Sequence, residues 1–131
     1  MTKSAALYAF FNNAIPGFSA YPETAVPSRA AGDDHDAALP YLTYTNPIST
    51  FDAGEVPVTV NLWARSTGEK TLNDAVETLS GAIGRGGVTL PCDGGYIWLK
   101  RGSPFAQSIQ DPDPRIKRRY INITAEYMTA D

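Results

Sequence analysis

A chain of 131 residues with 43% hydrophobic side chains is one domain on length alone, and buries about two thirds of its unfolded surface without staples. Its single cysteine, Cys92, excludes an internal disulfide, so nothing in the fold requires an oxidising compartment. A formal net charge of −3 and a pI near 5.0 argue against a general nucleic-acid binder, whose phosphate contacts need a basic surface.

The apolar run from Ala6 to Phe11 stops at Asn12 and Asn13, too short for a secretory h-region or a membrane span. The expectation is a soluble protein made and used in a cytoplasm. Residues 3–14 read as a helix, because Leu7, Phe10, Phe11 and Ala14 fall on one stripe and Pro16-Gly17 breaks the pattern. Phe18 to Tyr21 is a short strand cut off by Pro22. The stretch from Glu23 to Ala38, ETAVPSRAAGDDHDAA, is poor in large apolar residues and reads as a long surface loop. Tyr41 to Thr45 is β-branched and aromatic and precedes the turn signal Asn46-Pro47. Residues 51–55 then lead into the next strand as a hairpin connection.

The stretch from Pro57 to Gly84 changes periodicity once. Val58, Val60, Leu62 and Ala64 alternate with Thr59, Asn61, Trp63 and Arg65, the period of a strand with one aliphatic face. Ser66 offers a hydroxyl to the orphan amides of a helix start, and Glu69 completes a capping box. Leu72, Ala75, Val76, Leu79, Ala82 and Ile83 then recur on one helical stripe, and Gly84 supplies the residue that ends it. A strand running into an amphipathic helix buries both apolar sides only if the helix folds back over the sheet. Each large aliphatic on that stripe contributes roughly 1.5–3 kcal/mol on burial, against a net stability of about 5–15 kcal/mol for a small domain. This unit is the expected core.

Val88 to Pro91 and Tyr96 to Arg101 are two strands joined through Asp93-Gly94-Gly95, a hairpin cue. Three prolines between Ser103 and Pro114 predict a second long connection without a regular strand. Ile121, Ile123, Ala125 and Tyr127 alternate with polar residues in the last strand. The order α-β-β-β-α-β-β-β predicts a single α+β domain over residues 1–131, one mainly antiparallel sheet with two helices packed on one face.

Candidate chemistry is sparse. His35 sits among Asp33, Asp34 and Asp36, and carboxylates with an imidazole bind divalent metals; the consecutive spacing and the absence of a second histidine favour a solvated loop instead. Cys92 lacks an adjacent base or cation to activate it and reads as a half-buried structural thiol. Gly81, Gly84, Gly86 and Gly87 follow a helix instead of preceding one, so they form a helix stop and not a phosphate loop. Asp111 and Asp113, each followed by proline, read as a rigid acidic turn. Asn122-Ile123-Thr124 matches a glycosylation sequon inside a predicted strand and is discounted. No cofactor or metal is expected.

Trp63 points away from the face that Leu62 and Ala64 define. A sheet with helices on one side has a second face that is either solvated or covered, and Thr59, Asn61, Trp63 and Arg65 give that face an amphipathic character suited to a subunit contact. Simple partial exposure is the other reading. Lys117 and Arg119 share one face of the last strand while Arg118 points opposite. These two join the candidate interface, the alternative being a solvated start of the strand.

Three stretches, ALPYLTYT (Ala38 to Thr45), VTVNLWARSTGEKTLNDAVETL (Val58 to Leu79) and YINITAEYMT (Tyr120 to Thr129), carry a resemblance to the tail terminator (tail completion) proteins of long-tailed bacteriophages. The middle stretch is the most specific, a strand ending in Trp63-Ala64-Arg65 followed by a helix with Asp74-Ala75-Val76 at its centre. The likeness spans most of the chain by pattern, outside the loops at 23–38 and 103–114. It implies a structural virion protein without enzymatic activity, a homohexameric ring on the finished end of the tail tube that stops its polymerisation. Its implied partners are further copies of itself, the tail tube protein and the head–tail connector protein, with genomic DNA passing through unbound and no membrane involved. The implied location is the head-proximal end of the virion tail, after assembly in the host cytoplasm. Two alternatives stand beside it. One is another head–tail neck component of similar fold. The other is a small-molecule-binding or enzymatic α+β domain, which needs a pocket with converging polar groups and a perturbed titratable residue.

Overall fold

The computed structural model describes residues 1–27 and 39–131, so His35, its neighbouring aspartates and most of the expected 23–38 loop lie outside the described residues. The elements follow the expected order: α1 (Lys3–Ala14), β1 (Ser19–Pro22), β2 (Tyr41–Tyr44), one turn of 3-10 helix (Phe51–Ala53), β3 (Glu55–Arg65), α2 (Glu69–Ile83), β4 (Val88–Cys92), β5 (Gly95–Gln110) and β6 (Ile116–Thr129). The strands form one six-stranded sheet in the order β1-β2-β3-β6-β5-β4. Every pair is antiparallel except β1 beside β2, where the long connection between Pro22 and Tyr41 allows the chain to return to the same end.

The period of two in β3 decides which side of the sheet is buried. Val58, Val60 and Leu62 lie beside Ile123, Ile121 and Arg119 of β6, and all but the arginine join one apolar cluster with Leu42, Ile97 and Leu99 of the flanking strands. Leu72, Ala75, Leu79 and Ile83 of α2 and Ala6, Leu7 and Phe11 of α1 close that cluster from above. Both helices therefore share one face. Ala82, expected on the same stripe, is exposed at its margin. Helix α2 lies over β3, β5 and β6, while α1 packs against both outermost strands, β1 and β4. A sheet whose two edges meet the same helix must curl around it. Phe11 of α1 stacks on Tyr44 of β2 with ring centroids 4.7 Å apart, fixing one side of that curl.

Two expectations are overturned. The capping box of Ser66 and Glu69 does not form. The N–H of Ser66 donates to the Arg115 carbonyl at 2.7 Å, and that of Gly68 to the Arg65 carbonyl at 2.7 Å. Residues 65–68 are thus a turn tied to the start of β6, and α2 begins later, at Glu69, behind Gly68 and with no side-chain cap. The C-terminal end is as expected, with Gly84 at φ 76° donating to the Ser80 carbonyl. The second correction concerns residues 103–114. Strand β5 runs on to Gln110, because the register against β6 slips between Arg101 and Ala106 and then resumes. Pro104 falls inside that irregularity, where a missing ladder donor costs little. Only Pro112 and Pro114 remain for the β5–β6 turn.

Leu79→Ala is expected to lower stability by about 2–5 kcal/mol in chemical denaturation; an unchanged midpoint would mean that α2 does not seal the sheet. A second expectation concerns alkaline pH. Burial first, then the neighbouring Tyr8 for Tyr44 and Cys92 for Tyr127, pushes the Tyr44 and Tyr127 phenols up from 10.0 to about 12. Both are raised in the folded state, so their stabilising contribution is complete below pH 10.0 and disappears as pH climbs through about 12. The Tyr44 hydroxyl has no hydrogen-bond partner among the described residues, so Tyr44→Phe should leave stability near neutral pH intact and blunt the alkaline loss. A steeper alkaline loss in that variant would contradict the assignment.

Candidate functional site

The face of the sheet opposite the helices is built by the residues that alternate with the core. Residues paired across antiparallel strands share a face, so Thr59, Asn61 and Trp63 of β3 sit beside Asn122, Tyr120 and Arg118 of β6. Tyr41 and Thr43 of β2 sit beside Trp63 and Asn61, and Trp98 of β5 beside Glu126. Among the described residues no helix packs on this side.

Trp63 is the centre of the face. Its ring stacks on Tyr41 at 6.2 Å with the planes 22° apart, its indole N–H donates to the Thr43 hydroxyl at 3.3 Å, and the Arg118 guanidinium stands 5.0 Å from its ring. Such a cation–π contact contributes about 0.5–1 kcal/mol when partly exposed. The tryptophan is thereby held in one orientation while half-buried. Beside it, Asn61 Oδ1 and Arg118 Nε are shielded from solvent without a hydrogen-bond partner among the described residues. Unpaired buried polar atoms cost about 1–3 kcal/mol each, and two of them flank the same ring.

A second cluster lies towards β5. Lys100 rests 4.2 Å above the Trp98 ring and pairs with Glu55 at 3.2 Å and Glu126 at 3.3 Å. Burial opposes the Lys100 charge, but the two carboxylates outweigh it and hold the ammonium above its ordinary pKa. The Trp98 N–H donates to the Gly86 carbonyl at 2.8 Å, tying the glycine-rich helix stop to the sheet.

The six candidate interface residues do not form one surface. Thr59, Asn61 and Trp63 are together on the open face, with Arg65 at the exposed end of the same row. Lys117 and Arg119 pair with Ala64 and Leu62 and so belong to the helix side. Lys117 is exposed there, but Arg119 is only 6% exposed. Its guanidinium donates to Glu69, and to Asn73 Oδ1 at 3.0 Å. Arg119 is therefore held in an ion pair under α2, on the opposite side of the sheet from Trp63. Its parity with Ile121 and Ile123 carries it beneath the helix, where a charge persists only if paired. Arg118, by contrast, belongs to the open face although it was not a candidate. The alternation of β6, continued two residues before Tyr120, was the signal for it.

Other groups are structural. Asp113 N–H donates to Asp111 Oδ2 at 3.0 Å, and the Asp113 carboxylate accepts from the Arg115 side chain at 2.9 and 3.0 Å, which makes the β5–β6 turn rigid. Two open grooves of about 400 and 320 Å³ run between α2 and the C-terminal half of β5, with Arg119 between them. Among the described residues no cluster of three or more His, Cys, Asp or Glu is placed to hold a metal, and no helix is long and apolar enough to cross a membrane. Set against protein-family models, curated proteins and solved structures, the chain matches none.

Removing the carboxylate that faces Arg119 tests the ion pair. Glu69→Ala should cost about 1–3 kcal/mol by leaving a buried guanidinium short of a partner, whereas Lys117→Ala on the same strand should stay within about 0.5 kcal/mol. Equal urea midpoints for the two variants would remove Arg119 from the core.

Proposed function

We propose that this chain is the subunit of a tail-terminating ring of a long-tailed bacteriophage, acting by assembly and not by catalysis. The reading rests on the pattern of Ala38–Thr45, Val58–Leu79 and Tyr120–Thr129, and one structural observation carries it further. Trp63 stands half-buried on a sheet face that no helix of the described residues covers, beside the buried Tyr41 and Thr43, and the flanking Asn61 Oδ1 and Arg118 Nε have no hydrogen-bond partner among the described residues. A rigid aromatic beside a guanidinium and unsatisfied polar groups is the composition that subunit contacts use. In a ring, this face of each subunit meets a different surface of the next, and closure under rotation leaves no free copy of either. The annulus would stop addition of tube subunits on one side and offer a surface to the head–tail connector protein on the other. The net charge of −3 suits a lumen through which DNA slides without adhering.

Light scattering and negative-stain microscopy of the purified protein, alone and with its tube protein, test the reading. The expected outcome is annuli of about six subunits, the closed cyclic assembly of a heterologous contact. A monomer under both conditions overturns it. Trp63→Ala should abolish the annuli while shifting the subunit's denaturation midpoint less than Leu79→Ala does. Loss of fold with retention of residual assembly would return Trp63 to a core role.

A further inference from the structure

An exposed strand edge presents unpaired N–H and C=O groups and is a template for another strand unless it is blunted. Most edges of this sheet are. Strand β1 has only four residues and ends in Pro22, and its Ala20 N–H is already taken by Asn12 Oδ1 at 3.2 Å. Strand β4 contains Pro91, and the N–H of Asp93 just beyond it is closed by the Met1 carbonyl at 2.7 Å. The part of β3 that extends past β2 carries Glu55 and Pro57.

Strand β5 is different. Strand β4 covers it only from Gly95 to Leu99, and after the irregularity at residues 102–105 the segment Ala106–Gln110 is regular again. Its inner side is laddered to β6 from Lys117 to Ile121. On its outer side no strand of the described residues is paired. The segment reads AQSIQ, without charge, proline or glycine, the composition that favours strand addition. The grooves beside α2 run along this same edge, leaving room next to the small side chains of Ala106 and Ser108.

We infer that a second copy of this chain adds its own Ala106–Gln110 antiparallel to this one, about a twofold axis through Ser108, so that the two sheets become continuous. Like meets like because this is the one unprotected edge among the described residues. The register sets Ala106 opposite Gln110, Gln107 opposite Ile109 and Ser108 opposite itself, with no like charges facing. The contact uses the backbone edge of β5, two strands from Trp63 with Arg118 between Ile109 and Trp63, and goes beyond the ring reading.

The test uses cysteines in a Cys92→Ala background. After oxidation, Ser108→Cys should give a disulfide-linked species of twice 14.1 kDa on a non-reducing gel, whereas Gln110→Cys, opposite Ala106, should remain at 14.1 kDa. No link at residue 108, or equal links at both positions, overturns the inference. Ser108→Lys, which sets two ammonium groups on the axis, should halve the mass seen by light scattering with an unchanged circular dichroism spectrum; an unchanged mass overturns it as well. Annuli without the residue-108 link would overturn this contact and leave the ring standing, and the link without annuli would do the reverse.

Discussion

Packing α2 onto the sheet imposes a two-sided identity on β3, β5 and β6. Once Leu72, Leu79 and Ile83 are buried against Val58, Val60 and Leu62, every second residue of these strands is assigned to the apolar side and every other one to the open side. A slip of one residue would exchange the two sets entirely, so the aliphatic row specifies the register and the polar row follows without choice. The Trp63 cluster exists because Leu62 and Ala64 have to face the helix.

The same constraint explains the one buried charge among the described residues. Arg119 occupies the inward parity of β6, next in line after Ile123 and Ile121, and it reaches the first turn of α2. Burial there is tolerated because Glu69 and Asn73 accept hydrogen bonds from its guanidinium. The acidic residue at the head of α2 is thereby held on the sheet instead of folding back on its own helix, whose start has no side-chain cap. Helix start, strand register and ion pair are thus a single coupled feature.

The proposed assembly uses what the core leaves over. The helix-free face holds aromatic, guanidinium and amide groups in fixed positions, with two polar atoms short of partners, and the outer half of β5 holds unpaired backbone. Neither is a cleft suited to a small molecule. Both are extended surfaces that a polypeptide can meet, as the proposed assembly requires. Ile48 and Phe51, 75% and 61% exposed on the connection before β3, add apolar surface near the end of the sheet opposite the β5–β6 turn.

The element order, the α2 stripe, the aliphatic side of β3 and the membership of Thr59, Asn61 and Trp63 on the other side were determined by the sequence itself. They rest on local periodicity, which each element carries within its own residues. The continuation of β5 past Pro104, the start of α2 at Glu69 and the curl around α1 were decided by tertiary structure. So were the burial of Arg119 and the meeting of Arg118 with Trp63. Each of these depends on a partner far along the chain: β6 restores the ladder beyond the irregularity in β5, the Arg115 carbonyl claims the Ser66 amide, and α2 covers the inward side of β6. Local pattern says which way a side chain faces; only packing says what is there to meet it.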